Sequence, residues 1–192
     1  MRVDSLPFHE RVQIGNAKAA LIAECLNKHH GFKLVQASLE EDMNDKIDYY
    51  ECSKKKKLKV QVKERDKNSF GDDLLYDLYE PWHGDLEDSL IGRDHVAKFD
   101  LYLCLDRGDE WIRAVSGKAM KNVIKTCESE WIEQGCNFPL STKHGKRFWN
   151  SKIHDKVQFW LHRDKKNRRL KVLAFVPESC FNEKQIKKYK FI

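Results

Sequence analysis

No run of apolar residues in this chain approaches the length of a membrane span, and residues 1–5 carry no charged-then-apolar leader. The expectation is therefore a soluble, intracellular protein with no membrane partner. The six cysteines, Cys25, Cys52, Cys104, Cys127, Cys136 and Cys180, form no CxxC pair and no zinc-ligand rhythm with the eight histidines. That pattern predicts reduced, mostly buried thiols and no disulfides. A glycine-rich phosphate loop, a nucleophile elbow and an internal repeat are also missing, which removes the motifs of P-loop, α/β-hydrolase and solenoid proteins.

What is present is charge. The chain of 192 residues suits one domain with a sizeable core, and its net charge of +6 favours attraction to phosphate backbones, although membranes and acidic proteins would be attracted too. The charge is uneven. Asp72, Asp73, Asp77, Glu80, Asp85, Glu87 and Asp88 make an acidic middle that reads as a solvated insert, whereas residues 143–147 and 162–171 are basic.

The order of elements begins with a helix over residues 9–30, where Ile14, Ala17, Leu21, Ile22, Cys25 and Leu26 recur at helical spacing and Gly31 follows as a stop. Residues 32–37 read as a first strand. Residues 99–105 are apolar enough for a buried central or near-central strand of the same sheet.

Between them lies the most informative stretch. In Lys59-Val60-Gln61-Val62-Lys63-Glu64-Arg65, alternation sends Val60 and Val62 to one face of a strand and Gln61 and Lys63 to the other. In the preceding segment Ile47 and Tyr49 alternate with Asp48 and Tyr50, and polar residues 53–57 separate the two, which predicts a hairpin. A four-residue loop at 53–56 or at 54–57 sets Asp48 opposite Gln61 or Lys63, with all three on one face. A carboxylate, an amide oxygen and an ammonium then converge on a volume suited to a hard divalent cation, with a backbone carbonyl such as that of Val62 as a further ligand. The ordinary reading competes with this: Asp48 as an edge residue, Gln61 as a surface amide and Lys63 as a surface cation.

Asp48, twelve intervening residues and Gln61-x-Lys63, on a hairpin after an N-terminal helix, resemble the PD-(D/E)xK nuclease superfamily in the variant where glutamine replaces the second acid. Phage members are the nearest in pattern; Pro81-Trp82-His83-Gly84 and Asp100-Leu101-Tyr102-Leu103 look similar to their tryptophan-glycine loop and following strand. The resemblance covers residues 8 to about 111. It implies an α/β fold with a restriction-endonuclease-like core, a mixed central β-sheet flanked by helices, and a C-terminal α+β extension at about 112–192, together forming a single nuclease-like domain over 1–192.

The implied activity is Mg²⁺-dependent hydrolysis of phosphodiester bonds in nucleic acid, DNA first, by an endonuclease of phage type, with Mn²⁺ as a substitute ion. Asp48 would bind metal, Gln61 and the Val62 carbonyl would complete the shell, and Lys63 would assist water or the transition state. Glu24 on the first helix would support the metal through water, with Glu10 the weaker candidate. Gln61 brings no negative charge, so Glu24, Asp66 or Asp45 would have to compensate; Glu64 would face away from Lys63 in a regular strand. Cutting two strands implies a homodimer, and a viral source would place the protein in host cytoplasm. The alternatives are a catalytically inactive nucleic-acid-binding protein with the same fold and an RNA-directed nuclease.

The last third reads as a helix over 117–133, with Met120, Val123, Ile124, Cys127, Trp131 and Ile132 as its apolar stripe and Gly135 as its stop. Residues 157–162 and 170–176 then form a hairpin with a basic tip. Phe148, Trp149, Phe159 and Trp160 read first as core and second as base-stacking residues, and loops 141–147 and 164–169 as phosphate contacts. The four lysines of 54–57 read as a charged hairpin tip.

Overall fold

The computed structural model describes residues 8–45, 47–64, 73–79, 98–106, 108, 110–134, 147–154, 156–163 and 170–192. They form a mixed α/β structure of two compact units. One comprises residues 1–72, 98–117 and 183–192, and the other residues 73–97 and 118–182.

The first unit opens with α1 (Phe8–His29). The helix ends where Gly31 takes a φ of 70°, a left-handed conformation that costs glycine nothing. Its buried stripe is Ile22, Ala23, Cys25 and Leu26, with Ala19 partly covered, whereas Leu21 is 52% exposed and Ala17 is exposed. The sequence-predicted stripe is thus rotated by part of a turn. Asn27 fastens the helix to the sheet edge: its Oδ1 accepts the Leu34 N–H at 2.6 Å and its Nδ2 donates to the Leu34 carbonyl at 3.0 Å.

Six strands follow in a mixed sheet: β1 (Leu34–Gln36), β2 (Tyr49–Glu51), β3 (Leu58–Glu64), β5 (Leu101–Leu105), β6 (Trp111–Ser116) and β10 (Ile186–Lys190), in that spatial order. β3 and β5 are parallel, and every other neighbouring pair is antiparallel. β5 is an interior strand, as its apolar sequence predicts. Two strands from the stretch beyond residue 111, β6 and β10, complete this sheet. Between β1 and β2 lies α2 (Leu39–Asp45), absent from the sequence reading although Ser38-x-x-Glu41 is a capping box: the Glu41 N–H donates to Ser38 Oγ at 3.2 Å and the Ser38 N–H donates to Glu41 Oε2 at 3.0 Å.

The core of this unit lies on the face that α1 covers, where Ile22, Cys25 and Leu26 join Val60, Val62, Leu103, Leu105 and Ala114. Gly117, after β6, is a close approach: its N–H donates to the Asp100 carbonyl at 2.8 Å, and a Cβ there would collide with the Phe99 carbonyl oxygen.

The second unit holds the antiparallel sheet β4 (Leu74–Tyr79), β9 (Leu170–Val176), β8 (Gln158–Arg163) and β7 (Arg147–Asn150), in that order, and most of α3 (Gly117–Glu133). α3 has the predicted bounds, and its stripe buries Met120, Val123, Ile124, Cys127 and Trp131; Ile132, expected within the stripe, is 56% exposed. The β8–β9 hairpin pairs as expected. Phe159 is fully buried, with Trp131 edge-on at 5.8 Å and Trp149 at 4.9 Å, which is the core reading of these aromatics. β4 corrects the reading of the acidic middle as a solvated insert throughout: Leu74, Tyr76 and Leu78 are buried, and Asp77 among them is only 8% exposed. Cys25, Cys52, Cys104, Cys127 and Cys180 are free thiols. Among the described residues no helix is long and apolar enough to cross a membrane. Cys136, Gly135, residues 80–97, 141–146 and 164–169 lie outside the described residues.

Candidate functional site

The register of β2 on β3 decides where Asp48 stands. Tyr49 pairs with Val60, Tyr50 with Lys59 and Glu51 with Leu58, and the ladder is extended by the Asp48 N–H donating to the Val60 carbonyl at 3.0 Å. Of the two expected registers this is the one set by a 53–56 loop, and it puts Asp48 beside Gln61. The Asp48 side chain then does what a continuing strand would have done: its Oδ2 accepts the Val62 N–H at 2.7 Å. That bond fixes the carboxylate next to β3. Val62, expected to contribute a carbonyl, is joined to Asp48 through its N–H.

Gln61 is not a surface amide. It is 1% exposed, and its Oε1 is a buried atom without a hydrogen-bond partner. Leaving such an oxygen unpaired costs on the order of 1–3 kcal/mol, so its retention calls for an electropositive partner. A divalent cation of the Mg²⁺ kind fits this donor set, since an amide oxygen and a carboxylate oxygen on adjacent strands are hard ligands. The fit is partial: among the described residues no group of three or more His, Cys, Asp or Glu is placed to hold a metal ion.

Lys63 follows on the face of Gln61 and is half-buried. Its register partner on β5 is Cys104, and Cys104 pairs in turn with Arg113 of β6, so Lys63, Cys104 and Arg113 form one row across the sheet. Arg113 is 1% exposed. Sequence reasoning missed it, because one cation within Trp111-Ile112-Arg113-Ala114-Val115 gives no local sign of the row it joins. Glu64 points the other way: it faces α1, where its carboxylate lies 3.6 Å from the Lys18 ammonium. The β3–β5 ladder runs without a register shift, so no bulge brings Glu64 to the side of Lys63.

Glu24 does not share the hollow of Asp48. It is exposed on α1 and lines a depression with Ala20, Asn27, Leu34 and Gln36. Asp48 lines an adjoining hollow of about 160 Å³ whose other polar residues include Asn16, Gln36 and Asp42. Asp42, on α2, is therefore the carboxylate that the fold brings to the Asp48 side, and it went unnoticed because α2 itself did. The side chains of Glu10 and Asp45, and the whole of Asp66, lie outside what is described. Beside this hollow the Tyr49 hydroxyl is held above its ordinary pKa, first by burial and then by the negative charge of Asp48.

Comparison with protein-family models, with curated proteins and with solved structures finds no match to this chain.

Proposed function

We propose that this protein is a metal-dependent nuclease with a restriction-endonuclease-like core, hydrolysing phosphodiester bonds in DNA. The observation that carries the reading is the pairing of a carboxylate fixed on the β3 backbone with a buried amide oxygen that accepts no hydrogen bond, Asp48 Oδ2 and Gln61 Oε1. The succession of α1, β1, β2, β3 and a parallel β5 supports it.

In this reading Asp48 and Gln61 hold Mg²⁺, with Mn²⁺ as a substitute, and water fills the positions the protein leaves open. The bound ion would supply positive charge to polarise the scissile phosphate. Asp48 is held in place by the Val62 N–H, so its carboxylate needs little reorganisation when the ion binds. Lys63, next along the same face, would orient the attacking water and offset charge developing on the phosphate oxygens. Asp42 would offset the anion that Gln61 fails to supply, and Glu24, in the adjoining depression, would act through water. The net charge of +6 draws the nucleic-acid backbone to the protein.

Plasmid cleavage with Mg²⁺ or Mn²⁺ tests the assignment. The native chain should cut, and Asp48→Ala and Lys63→Ala should each lower the rate by roughly 10²–10³-fold, the scale of losing one preorganised electrostatic contact. Equal cleavage by all three proteins would remove the assigned site. A second reading, a nucleic-acid-binding protein of the same fold without the chemistry, is favoured by one observation, the neutrality and complete burial of Gln61. Salt-sensitive DNA binding without cleavage would select it, and an RNA substrate in the same assay distinguishes an RNA-directed nuclease.

A further inference from the structure

A second cavity lies at the hairpin-loop end of the six-stranded sheet, away from Asp48. Its volume is about 490 Å³, within the range of small-molecule sites. Three features of its lining differ in chemistry. Leu58, Leu101 and Ala114 supply apolar surface from β3, β5 and β6. Phe32 and Tyr189 supply aromatic surface, their rings set edge to face at 5.2 Å. Lys54, Lys184 and Lys187 supply cations from the β2–β3 loop and from the β10 region, and all three are exposed.

The two carboxylates of the lining are engaged by backbone. Glu51 accepts the Ser53 N–H at 2.6 Å and the Lys33 N–H at 3.3 Å, and Asp100 Oδ2 accepts the Lys59 N–H at 3.0 Å. These bonds offset the acids' charge, so the lysine ammoniums dominate the field at the rim. Gln185 and the hydroxyls of Ser53 and Ser116 add neutral hydrogen-bonding groups to the same lining.

We infer that this cavity binds a phosphorylated nucleoside, the base against Tyr189 and the apolar floor and the phosphate at Lys54, Lys184 and Lys187. Aromatic surface beside clustered ammonium groups suits a ligand with one flat π-face and one anionic end. A pocket of mixed polarity with convergent lysines would gain nothing from a neutral apolar ligand, which would leave the ammoniums without a partner. The shared chemistry fits a free mononucleotide or the 5′-phosphorylated end of a strand.

Calorimetric titration of the full chain with AMP tests the inference, with adenosine and inorganic phosphate as separate arms. AMP should bind saturably, and adenosine and phosphate should each bind about tenfold more weakly or worse, since each lacks half the contacts. Lys54→Ala combined with Lys187→Ala should weaken AMP by about tenfold or more while the melting temperature stays unchanged, because both side chains are exposed. Asp48→Asn should bind AMP as the native chain does, which separates this pocket from the nuclease reading. Displacement of AMP by a 5′-phosphorylated oligonucleotide would identify a strand end as the ligand, and its absence a free nucleotide. No saturable AMP binding, undiminished binding by the double variant, or phosphate binding as tight as AMP would each overturn the inference.

Discussion

Two buried polar side chains, one in each unit, are treated in opposite ways. Glu130 on α3 is a carboxylate with every need met: it accepts the Ser151 hydroxyl at 2.5 Å, the Lys152 N–H at 2.7 Å, the Ile153 N–H at 3.4 Å and the Gln134 amide at 3.0 Å. Gln61 on β3 is uncharged and cheaper to bury, yet its Oε1 accepts nothing. The costlier group to bury is the one fully satisfied. That contrast separates a polar residue that organises a loop from one kept for something it binds. Glu130 gathers residues 151–153 around α3, and Gln61 sits beside a fixed carboxylate with an oxygen to offer.

Substitution by leucine should give the two residues opposite signs. Gln61→Leu, of similar volume, removes a buried oxygen with no hydrogen bond, so it should lower Mg²⁺-dependent DNA cleavage by roughly 10²–10³-fold. In the absence of metal the same change should raise stability by about 1–2 kcal/mol in urea unfolding. Glu130→Leu leaves a hydroxyl and two N–H groups without their acceptor and should lower the melting temperature by roughly 2–4 °C or more. Stabilisation by Glu130→Leu, or destabilisation of the metal-free protein by Gln61→Leu, would erase the distinction.

Gln61→Glu sharpens it further. Added ligand charge should tighten Mg²⁺ binding by roughly tenfold, while the metal-free protein loses stability at neutral pH because an ionised carboxyl is then buried without a cation. Calorimetry with Mg²⁺ and urea unfolding with chelator read the two halves.

The smallest effect is in pH. Burial pushes the Glu130 carboxyl up, but its hydrogen bonds from Ser151, Lys152, Ile153 and Gln134 together prevail and hold it below the usual range. Glu41 is held at about 2, first by the Tyr50 hydroxyl at 2.6 Å and then by Ser38. Both pKa values are depressed in the fold, so both groups stabilise it above the ordinary carboxylate pKa, and that contribution is lost as pH falls from about 4.5 towards 2. Thermal unfolding should show this decline, and Tyr50→Phe should make it shallower; a decline identical in the variant would remove Tyr50 as its leading cause.

What could be read from the sequence follows the range of the interactions. The α3 bounds, the end of α1 at Gly31 and the placing of Asp48 beside Gln61 rest on helical periodicity, a single glycine and a loop length, all local. The Ser38-x-x-Glu41 box that starts α2 was equally local and was overlooked, and with it Asp42. β4 was hidden by its aspartate, although Leu74-Leu75-Tyr76-Asp77-Leu78-Tyr79 is apolar on both sides of it. The Lys63–Cys104–Arg113 row and the return of β10 to β6 depend on pairings between distant segments, for which alternation within one strand gives no register. The rotation of α1 was also out of reach: helical spacing does not fix which side of a six-stranded sheet receives the helix, so it could not show that Glu24 and Asp48 line different hollows.

The most direct test of the central claim is the shift in melting temperature on adding Mg²⁺ or Mn²⁺ to the native chain, Gln61→Leu and Asp48→Asn. A ligand that binds only the folded state raises its stability in proportion to RT ln(1 + [L]/Kd). The account predicts a concentration-dependent rise for the native chain and none for either variant. No rise in the native chain, or equal rises in all three, would contradict it.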